Sequence, residues 1–591
     1  MNAGMTDARW EPGHVRLDDI VRGVGYEFSG RCTTAIAERP DDVPALLAAA
    51  ETEAGLGRWV VCFVCYEAGE AFEPAVATGR LHPLLPLAWF TSYSERCVVP
   101  AVEPPDSGRL VDNVTRAHGG AWYQQGVERV RTAIEAGDVY QVNLTDRVRC
   151  VLAAPVVDLY RAMATTQGGS YNALIEFGHA AIVSASPELF VRLEGDTITT
   201  RPMKGTRRRH GRPEADRLVA EELLTSEKDC AENVMIVDLL RNDLSRLSVP
   251  GGVSTPELFQ VERYETVWQM TSTVKARLRP DIGLVDVFSA AFPCGSVTGA
   301  PKIAAMHAIA ALEPTPRGLY CGTIGLLEPA TPGGRGSSTW SVAIRTAVVD
   351  ATTGAVEFGA GGGITYDSDP AAEDDELESK TAVLRGARLA FSLFETLRLD
   401  AAGVHELDRH LNRLTTSAEF FGYPCDAAAI AQKVALLAPT STLHRLRITL
   451  DRAGRVLLEA FAVDAAASPV RLAVAESTIR SDDPFLCHKT TNRTVYDAAR
   501  AAHPQADDVL LVNERGEVVE TTIANVLYRL GGRWYTPPLT SGGLPGIGRE
   551  VLVERGVVTE RVLLAHQLDE CDELEVVSAL RGRRRAERLL G

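Results

Sequence analysis

Apolar residues recur along this chain with two periods. Residues 43–54 and 120–136 carry them at helical spacing, and strands are predicted at segments such as Ala181-Ile182-Val183-Ser184 and Leu189-Phe190-Val191-Arg192-Leu193. One long helix is predicted over about 213–241, opened by Pro213 and rich in Glu, Leu and Ala. The Gly/Pro-rich stretch Glu328–Ser338 reads as an exposed loop between strands. A helix from about Pro370 to Leu389 runs straight into a strand at Phe391–Leu399, and the residues able to carry chemistry change character there. Two domains, 1–387 and 388–591, are expected.

Bulk properties narrow the classes. At roughly 150 residues per domain, 591 residues allow two to four domains. A net charge of −17 argues against nucleic acid or an anionic membrane surface as the main partner. Small anionic substrates stay open, because a local site can oppose the global sign. Met1–Trp10 is polar without an apolar signal core, and no run approaches the ~18 apolar residues of a membrane span. Eleven cysteines form no regular framework, so a cytoplasmic protein with reduced thiols is expected. Cys62 and Cys65 have a metal-like spacing, but the residues around them, Trp59 to Tyr66, read as a buried strand and no second pair follows.

Lysine placement is more informative. Of 61 basic residues only seven are lysine, at 204, 228, 275, 302, 380, 433 and 489. Lys204, Lys302, Lys380 and Lys489 fall inside compact polar or glycine-rich clusters. A buried lysine can lose its proton and become a nucleophile or Schiff-base former; arginine cannot.

In the first half, Gly359-Ala360-Gly361-Gly362-Gly363-Ile364 precedes Asp369-Pro370, an N-cap and first-turn proline. On the helix that follows, Glu373, Glu376 and Lys380 share one face. Neighbouring carboxylates repel unless a cation or proton lies between them, and a few hard oxygens suit Mg2+ shared with an anionic substrate. A solvated acidic face, including Asp374 and Asp375, is the plain alternative. Asp229 and Glu232 repeat the i, i+3 spacing on the predicted long helix. The segment Phe292–Lys302 is a turn opening a helix, whose backbone N–H groups suit a carboxylate, and Arg345 ends a strand where it could grip another.

With Tyr140-Gln141-Val142-Asn143-Leu144, Ser186-Pro187-Glu188 and Arg317-Gly318-Leu319-Tyr320-Cys321-Gly322, these motifs make residues from about Trp59 to Leu384 resemble the chorismate-utilising enzymes. That group includes anthranilate, isochorismate and aminodeoxychorismate synthases. The resemblance implies an α+β fold with large mixed β-sheets and a deep cleft. It implies Mg2+ held by a set drawn from Asp229, Glu232, Glu373 and Glu376. Substrate would be held by Arg345, Tyr320, Ser296, Gly299, Gly362, Gly363 and Lys380. Lys204, in Arg201-Pro202-Met203-Lys204-Gly205-Thr206, discriminates within the family: anthranilate synthases typically carry alanine at that motif position and aminodeoxychorismate synthases lysine. By that likeness Lys204 attacks C2 of chorismate as the C4 hydroxyl leaves, and ammonia then enters at C4 and expels the lysine. A surface cation beside Arg207, Arg208 and Arg209 is the alternative. Gln269 stands where many relatives carry a catalytic histidine, so the group assisting the hydroxyl is open, with Glu232 a candidate.

The second half holds polar or glycine-rich clusters at the ends of apolar strands. They include Phe394-Glu395-Thr396, His410-Leu411-Asn412-Arg413, His488-Lys489-Thr490-Thr491-Asn492-Arg493, Val519-Glu520-Thr521-Thr522 and Gly546-Ile547-Gly548-Arg549. They supply a lysine, a carboxylate and an anion-binding turn, the three things pyridoxal phosphate needs. Residues 392–570 resemble the fold-type-IV pyridoxal phosphate enzymes, whose domain has two subdomains and usually dimerises. The resemblance implies that Lys489 holds the cofactor and shuttles protons, and that Glu520 keeps the pyridine nitrogen protonated. Arg413, the N–H groups of Ile547 and Gly548, and Thr540 would hold the phosphate. The Gly-Asp pair usual before the first strand is absent.

The two resemblances fit one sequence of reactions. A first half that makes 4-amino-4-deoxychorismate would feed a lyase that eliminates pyruvate and leaves 4-aminobenzoate, a folate precursor. No glutamine-amidotransferase nucleophile is evident, since Cys294 lacks the expected elbow, so a separate glutaminase subunit would supply ammonia. An anthranilate or isochorismate synthase joined to an aminotransferase stays open, as does a chain that binds chorismate without turning it over.

Overall fold

A computed structural model describes residues 10–76, 80–105, 109–264, 267–330, 336–385, 391–463 and 469–589. The expected boundary near 388, residues 1–9 and the middle of the 328–338 loop lie outside the described residues. By contact, the chain divides into one unit of residues 1–208 and 220–389 and another of 209–219 and 390–591.

The first unit is built on eighteen strands joined in one antiparallel network. One part of it carries Met203–Arg208 paired with Val267–Leu278, and a distant part carries Ala355–Ile364 paired with Gln141–Leu152. Buried strands in the middle show why the network has two covered faces. In Trp59–Val64, Val60, Cys62 and Val64 pack with the helices Val43–Gly55 and Leu284–Ala291. Val61 and Phe63 turn the other way, onto Trp89 and Phe177. A strand buried on both faces needs this near-continuous apolar run. Cys62 and Cys65 fall on opposite faces of that layer, buried, and hold no metal pair. Helices Gly119–Glu135, Val156–Gln167 and Pro370–Arg385 cover the other end of the network.

The single helix expected over 213–241 is two, Pro213–Thr225 and Glu227–Ser245. Ser226 interrupts it with an extended backbone, and its hydroxyl accepts a hydrogen bond from the Asp229 N–H at 3.3 Å. A serine N-cap followed by acidic residues starts a new helix even where apolar periodicity continues. Asp229 and Glu232, on the second helix, line the same cavity as Lys204.

The second unit has two subdomains, as the expected α+β class requires. A four-stranded sheet centred on Leu393–Asp400 and His444–Leu450 packs on the helices Leu407–Phe421 and Ala427–Ala435. An eight-stranded sheet follows, and among the described residues the parallel strand pairings are found in it. Among the described residues no helix is long and apolar enough to cross a membrane.

The aromatic cluster of Trp340, Phe288, Phe190 and Phe292 anchors the first unit's helices to its sheet, with Trp340 fully buried and 5.0 Å from Phe288. Trp340→Ala should cost about 3–5 kcal/mol in this unit. Denaturant unfolding followed by a probe in the first unit should show the loss as an earlier midpoint.

Candidate active sites

The glycine run on Ala355–Ile364 is the surface on which the first site is laid. A methyl on Gly359 would lie 2.2 Å from the Tyr320 ring, one on Gly362 3.0 Å from a Glu373 oxygen, and one on Gly363 2.8 Å from Lys204 Nζ. Each bare position therefore receives a side chain from another element. The cavity above the run measures about 280 Å³.

Lys204 reaches it from a β-bulge. Met203 pairs with Thr271 and Thr206 with Gln269, so one strand advances three residues while its partner advances two. Such a bulge re-aims a side chain. Gly205 takes the positive φ of 83°, and a Cβ there would come 3.1 Å from Asp229. Gln141 lies against Gly363 beside Lys204, and its side-chain oxygen is buried without a hydrogen-bond partner.

Three carboxyls respond to the Lys204 charge. Glu188 is buried, accepts from Ser296 Oγ at 2.6 Å, and has its carboxyl pushed up to about 7 by that burial. Burial also raises Glu232 and Glu373, and Glu373 adds like-charge repulsion on Glu232. Glu376 goes the other way: Lys380 Nζ, 2.7 Å away, lowers it. Glu188 was seen in the sequence only as part of a motif. The signal that marks it is burial of a lone carboxyl beside an amine, which only the fold reveals.

All four carboxylates of the expected metal set, Asp229, Glu232, Glu373 and Glu376, line this cavity. Asp229 pairs with Arg207 at 2.6 Å and Glu376 with Lys380 at 2.7 Å. Among the described residues no three His, Cys, Asp or Glu side chains converge at metal spacing. Glu232 and Glu373 remain as a repelling pair at the cavity wall. Two carboxylates fit Mg2+, which keeps most of its waters and shares its shell with substrate.

Arg345 lines the cavity half-buried, in the left-handed backbone region (φ 52°), with Nη1 donating to the Lys380 carbonyl at 2.7 Å. Burial lowers its proton affinity, as expected of a guanidinium awaiting an anion. Tyr320 and Ser296 line the cavity too, but Gly299 does not. Gly299 pairs with Val142 at a φ of 143°, and a Cβ there would lie 2.1 Å from the Gln141 carbonyl oxygen, so it is a close backbone crossing. Cys294 is buried and its thiol is pushed up to about 12, far from a thiolate nucleophile.

The second cavity, about 370 Å³, opens beside Lys489. Burial, with Arg413 and Arg493 nearby, pulls the Lys489 amine down to about 8. Glu520 is pushed up to about 7 by burial, and it accepts from Tyr496 Oη (2.9 Å) and Asn525 Nδ2 (3.1 Å). Arg413 grips Glu395 with two donors, and although burial alone would raise Glu395, Arg413 and His410 hold it down to about 2. Ile547 opens the helix Ile547–Glu554 at the cavity wall, and a Cβ on neighbouring Gly548 would strike the backbone at Ser578. A buried amine, a carboxyl able to face a pyridine nitrogen, and a helix N-terminus with an arginine fit pyridoxal phosphate. Thr540 does not belong to this set: it is exposed on the turn Leu539–Ser541, its carbonyl accepting from Arg515.

Four further arginines line the second cavity: Arg445, Arg447, Arg581 and Arg584. Arg445 and Arg447 alternate with the buried Leu446, Ile448 and Leu450 along one strand, a period-2 signal legible in the sequence but not used. A larger cavity of about 400 Å³ elsewhere in the first unit is lined by opposed charges such as Asp18, Arg22, Arg96 and Arg192, and contains no lysine.

The family model of the chorismate binding enzymes matches residues 11–386, and that of amino-transferase class IV matches 392–589. Aminodeoxychorismate synthase component 1 of Salmonella typhimurium is 42% identical over 268 residues, 45% of this chain and 57% of the relative. Anthranilate synthase component 1 of Streptomyces coelicolor is 40% identical over 328 residues, 55% of this chain and 62% of the relative. The chain thus spans less than two thirds of these relatives' length. A solved anthranilate synthase component I from Streptococcus pneumoniae superposes with a TM-score of 0.52 at 26% identity, covering 65% of this chain and 94% of its own.

Glu520 keeps its proton to about pH 7 when folded, against about 4.5 when unfolded. Its stabilising contribution is whole below pH 4.5 and is lost as pH rises through 7. Glu520→Gln should therefore raise the stability of the cofactor-free protein at pH 8, by something on the order of 3 kcal/mol, and have little effect near pH 4.5. Thermal unfolding at both pH values checks the sign.

Proposed function

The chain belongs to the chorismate-binding enzymes, and from that premise we propose that it makes 4-amino-4-deoxychorismate from chorismate and ammonia and then cleaves it to 4-aminobenzoate and pyruvate. The observation that carries the first step is Lys204, an amine set against Gly363 and facing Glu188, Glu232 and Glu376. Relatives named for either aminodeoxychorismate or anthranilate synthesis match to a similar degree, so overall likeness does not choose between products. Lys204 does.

In this reading the Lys204 lone pair attacks C2 of chorismate, both double bonds of the ring diene shift by one position, and the C4–O bond breaks. Glu188, whose carboxyl titrates near neutrality, accepts the proton of the Lys204 ammonium beforehand and can return one to the departing hydroxyl, which leaves as water. Ammonia then bonds to C4, both double bonds shift back, and the C2–N bond to Lys204 breaks. Arg345 and Lys380 hold substrate carboxylate, and Glu232 with Glu373 would hold Mg2+, which supplies positive charge against the ring carboxylate. Ammonia comes from a separate glutaminase, in keeping with the inert Cys294.

For the second step, bound pyridoxal phosphate would supply the electron sink. Lys489 moves the protons, its amine already poised near neutral pH, while Glu520 faces the ring nitrogen. Arg445, Arg447, Arg581 and Arg584 surround the cavity mouth with charge suited to a substrate bearing two carboxylates. A common amino acid would leave part of that charge unmatched, which favours the lyase over an aminotransferase.

With chorismate, ammonium, Mg2+ and pyridoxal phosphate, the purified chain should form 4-aminobenzoate, identified by mass and fluorescence. Lys204→Ala should lose this at least 10³-fold yet still cleave supplied aminodeoxychorismate, and Lys489→Ala should accumulate aminodeoxychorismate without releasing pyruvate. Normal pyruvate release by Lys489→Ala, or an anthranilate product, would overturn the corresponding half. Glutamine-driven turnover by this chain alone would remove the need for a partner.

A further inference from the structure

Gln269 lies across from the Lys204 bulge, and its carboxamide spans the two residues that follow the lysine. Nε2 donates to the Gly205 carbonyl at 2.9 Å, and Oε1 accepts from Thr206 Oγ1 at 2.8 Å. The register is regular on the Arg207 and Arg208 side, where they pair with Trp268 and Val267, and it breaks only between Met203 and Thr206. On the other side of the break, Ser272 N–H donates to the Pro202 carbonyl at 3.3 Å.

A bulge leaves its extra residue outside the ladder, so the backbone at Lys204 and Gly205 lacks the bonds that normally fix a strand. Gly205, at positive φ, adds freedom rather than removing it. The Gln269 side chain supplies one bond to the unladdered backbone, at the Gly205 carbonyl, and a second to the Thr206 hydroxyl, a donor and an acceptor that a carboxamide offers in a single plane and a carboxylate does not. From behind, Asp229 and Leu223 close on Gly205 at 3.1 Å from a would-be Cβ, so the bulge is held from two sides.

We propose that Gln269 is a positioning residue that sets the Lys204 amine against Gly363 by clamping Gly205 and Thr206, and takes no part in proton transfer. This rests on the reading of Lys204 as the nucleophile and deepens it, giving the glutamine found in place of the family's histidine a task of its own. A neutral carboxamide cannot move protons near neutrality, but it can hold a backbone. Misplacing a reacting group by about 1 Å costs on the order of 10²-fold in rate.

The test uses the full chain with chorismate, ammonium and Mg2+. Gln269→Ala should lower kcat roughly 10- to 100-fold with KM for chorismate within about twofold. Gln269→Glu, isosteric but without the donor, should show a loss of the same kind. Thr206→Val should lower kcat by a smaller factor, and Gln269→Ala/Thr206→Val should be no worse than Gln269→Ala alone, because both act through one clamp. A crystal structure of Gln269→Ala or Gln269→Glu, whichever folds, should show Lys204 Nζ displaced from Gly363. An unmoved Lys204, a kcat within twofold of the unaltered enzyme, multiplicative losses in the double variant, or a rise in KM matching the fall in kcat would each overturn the clamp. Displacement of Lys204 in an enzyme whose unaltered form makes no aminodeoxychorismate would leave the clamp standing and refute the reaction instead.

Discussion

One buried guanidinium fixes the floor of the first site. Arg317 donates to both oxygens of Glu313 (2.6 and 2.9 Å), to the Val297 carbonyl (2.8 Å) and to the Asn143 carbonyl (2.7 Å), and lies over the Tyr66 ring. Glu67 receives the N–H groups of Arg317 and Gly318, and Glu313 also receives that of Thr145. Three segments that line the cavity are thereby tied to one cation: the strand at Asn143, the turn at Val297 and the chain leading into Tyr320. A buried ion pair adds little stability over apolar residues of the same volume, since desolvation offsets most of the attraction. Its effect is on geometry: every partner must come to one place, and losing the cation would strand the buried Glu313 carboxylate.

The two lysines are prepared by different means. Lys489 lines its cavity half-buried, and desolvation weakens its hold on a proton, with Arg413 and Arg493 adding like charge. Lys204 is half-buried as well, and it faces the carboxyls of Glu188, Glu232 and Glu376. It needs a base beside it and a backbone that aims it. Glu188 and the bulge answer those needs, so geometry carries at Lys204 what desolvation carries at Lys489.

Much of this was legible in the residues, and the gaps have physical causes. Scarce lysines in polar or glycine-rich settings pointed to Lys204, Lys302, Lys380 and Lys489; three of them line a cavity, whereas Lys302 is paired with Asp243 at 2.7 Å. The glycine run 359–363 was visible, but its reason was not: it is the imprint of Tyr320, Glu373 and Lys204, which arrive from distant segments. The i, i+3 spacing places Asp229 and Glu232 on one helix face, but it does not reveal that Arg207 pairs with Asp229 there. The helix break at Ser226 was hidden because apolar periodicity continues across it. Glu188 escaped because a carboxyl becomes unusual only once it is buried, and Thr540 was drawn in by neighbours in sequence that are not neighbours in space.

The chain's net charge of −17 gives no hint of its second cavity, where Arg413, Arg445, Arg447, Arg493, Arg581 and Arg584 join Lys489 opposite Glu520. Cations crowded into a partly enclosed space repel, and the repulsion has visible consequences. Arg413 and Arg493 lower Lys489, and Arg581, after burial itself, lowers Arg584. An anion settling among them would offset that repulsion and return proton affinity to the lysine. Anion occupancy and the reactivity of the Lys489 amine are thus coupled through Coulomb's law alone, without movement of the backbone. An anion in the cavity would therefore leave Lys489 better able to hold a proton than it is among the arginines alone.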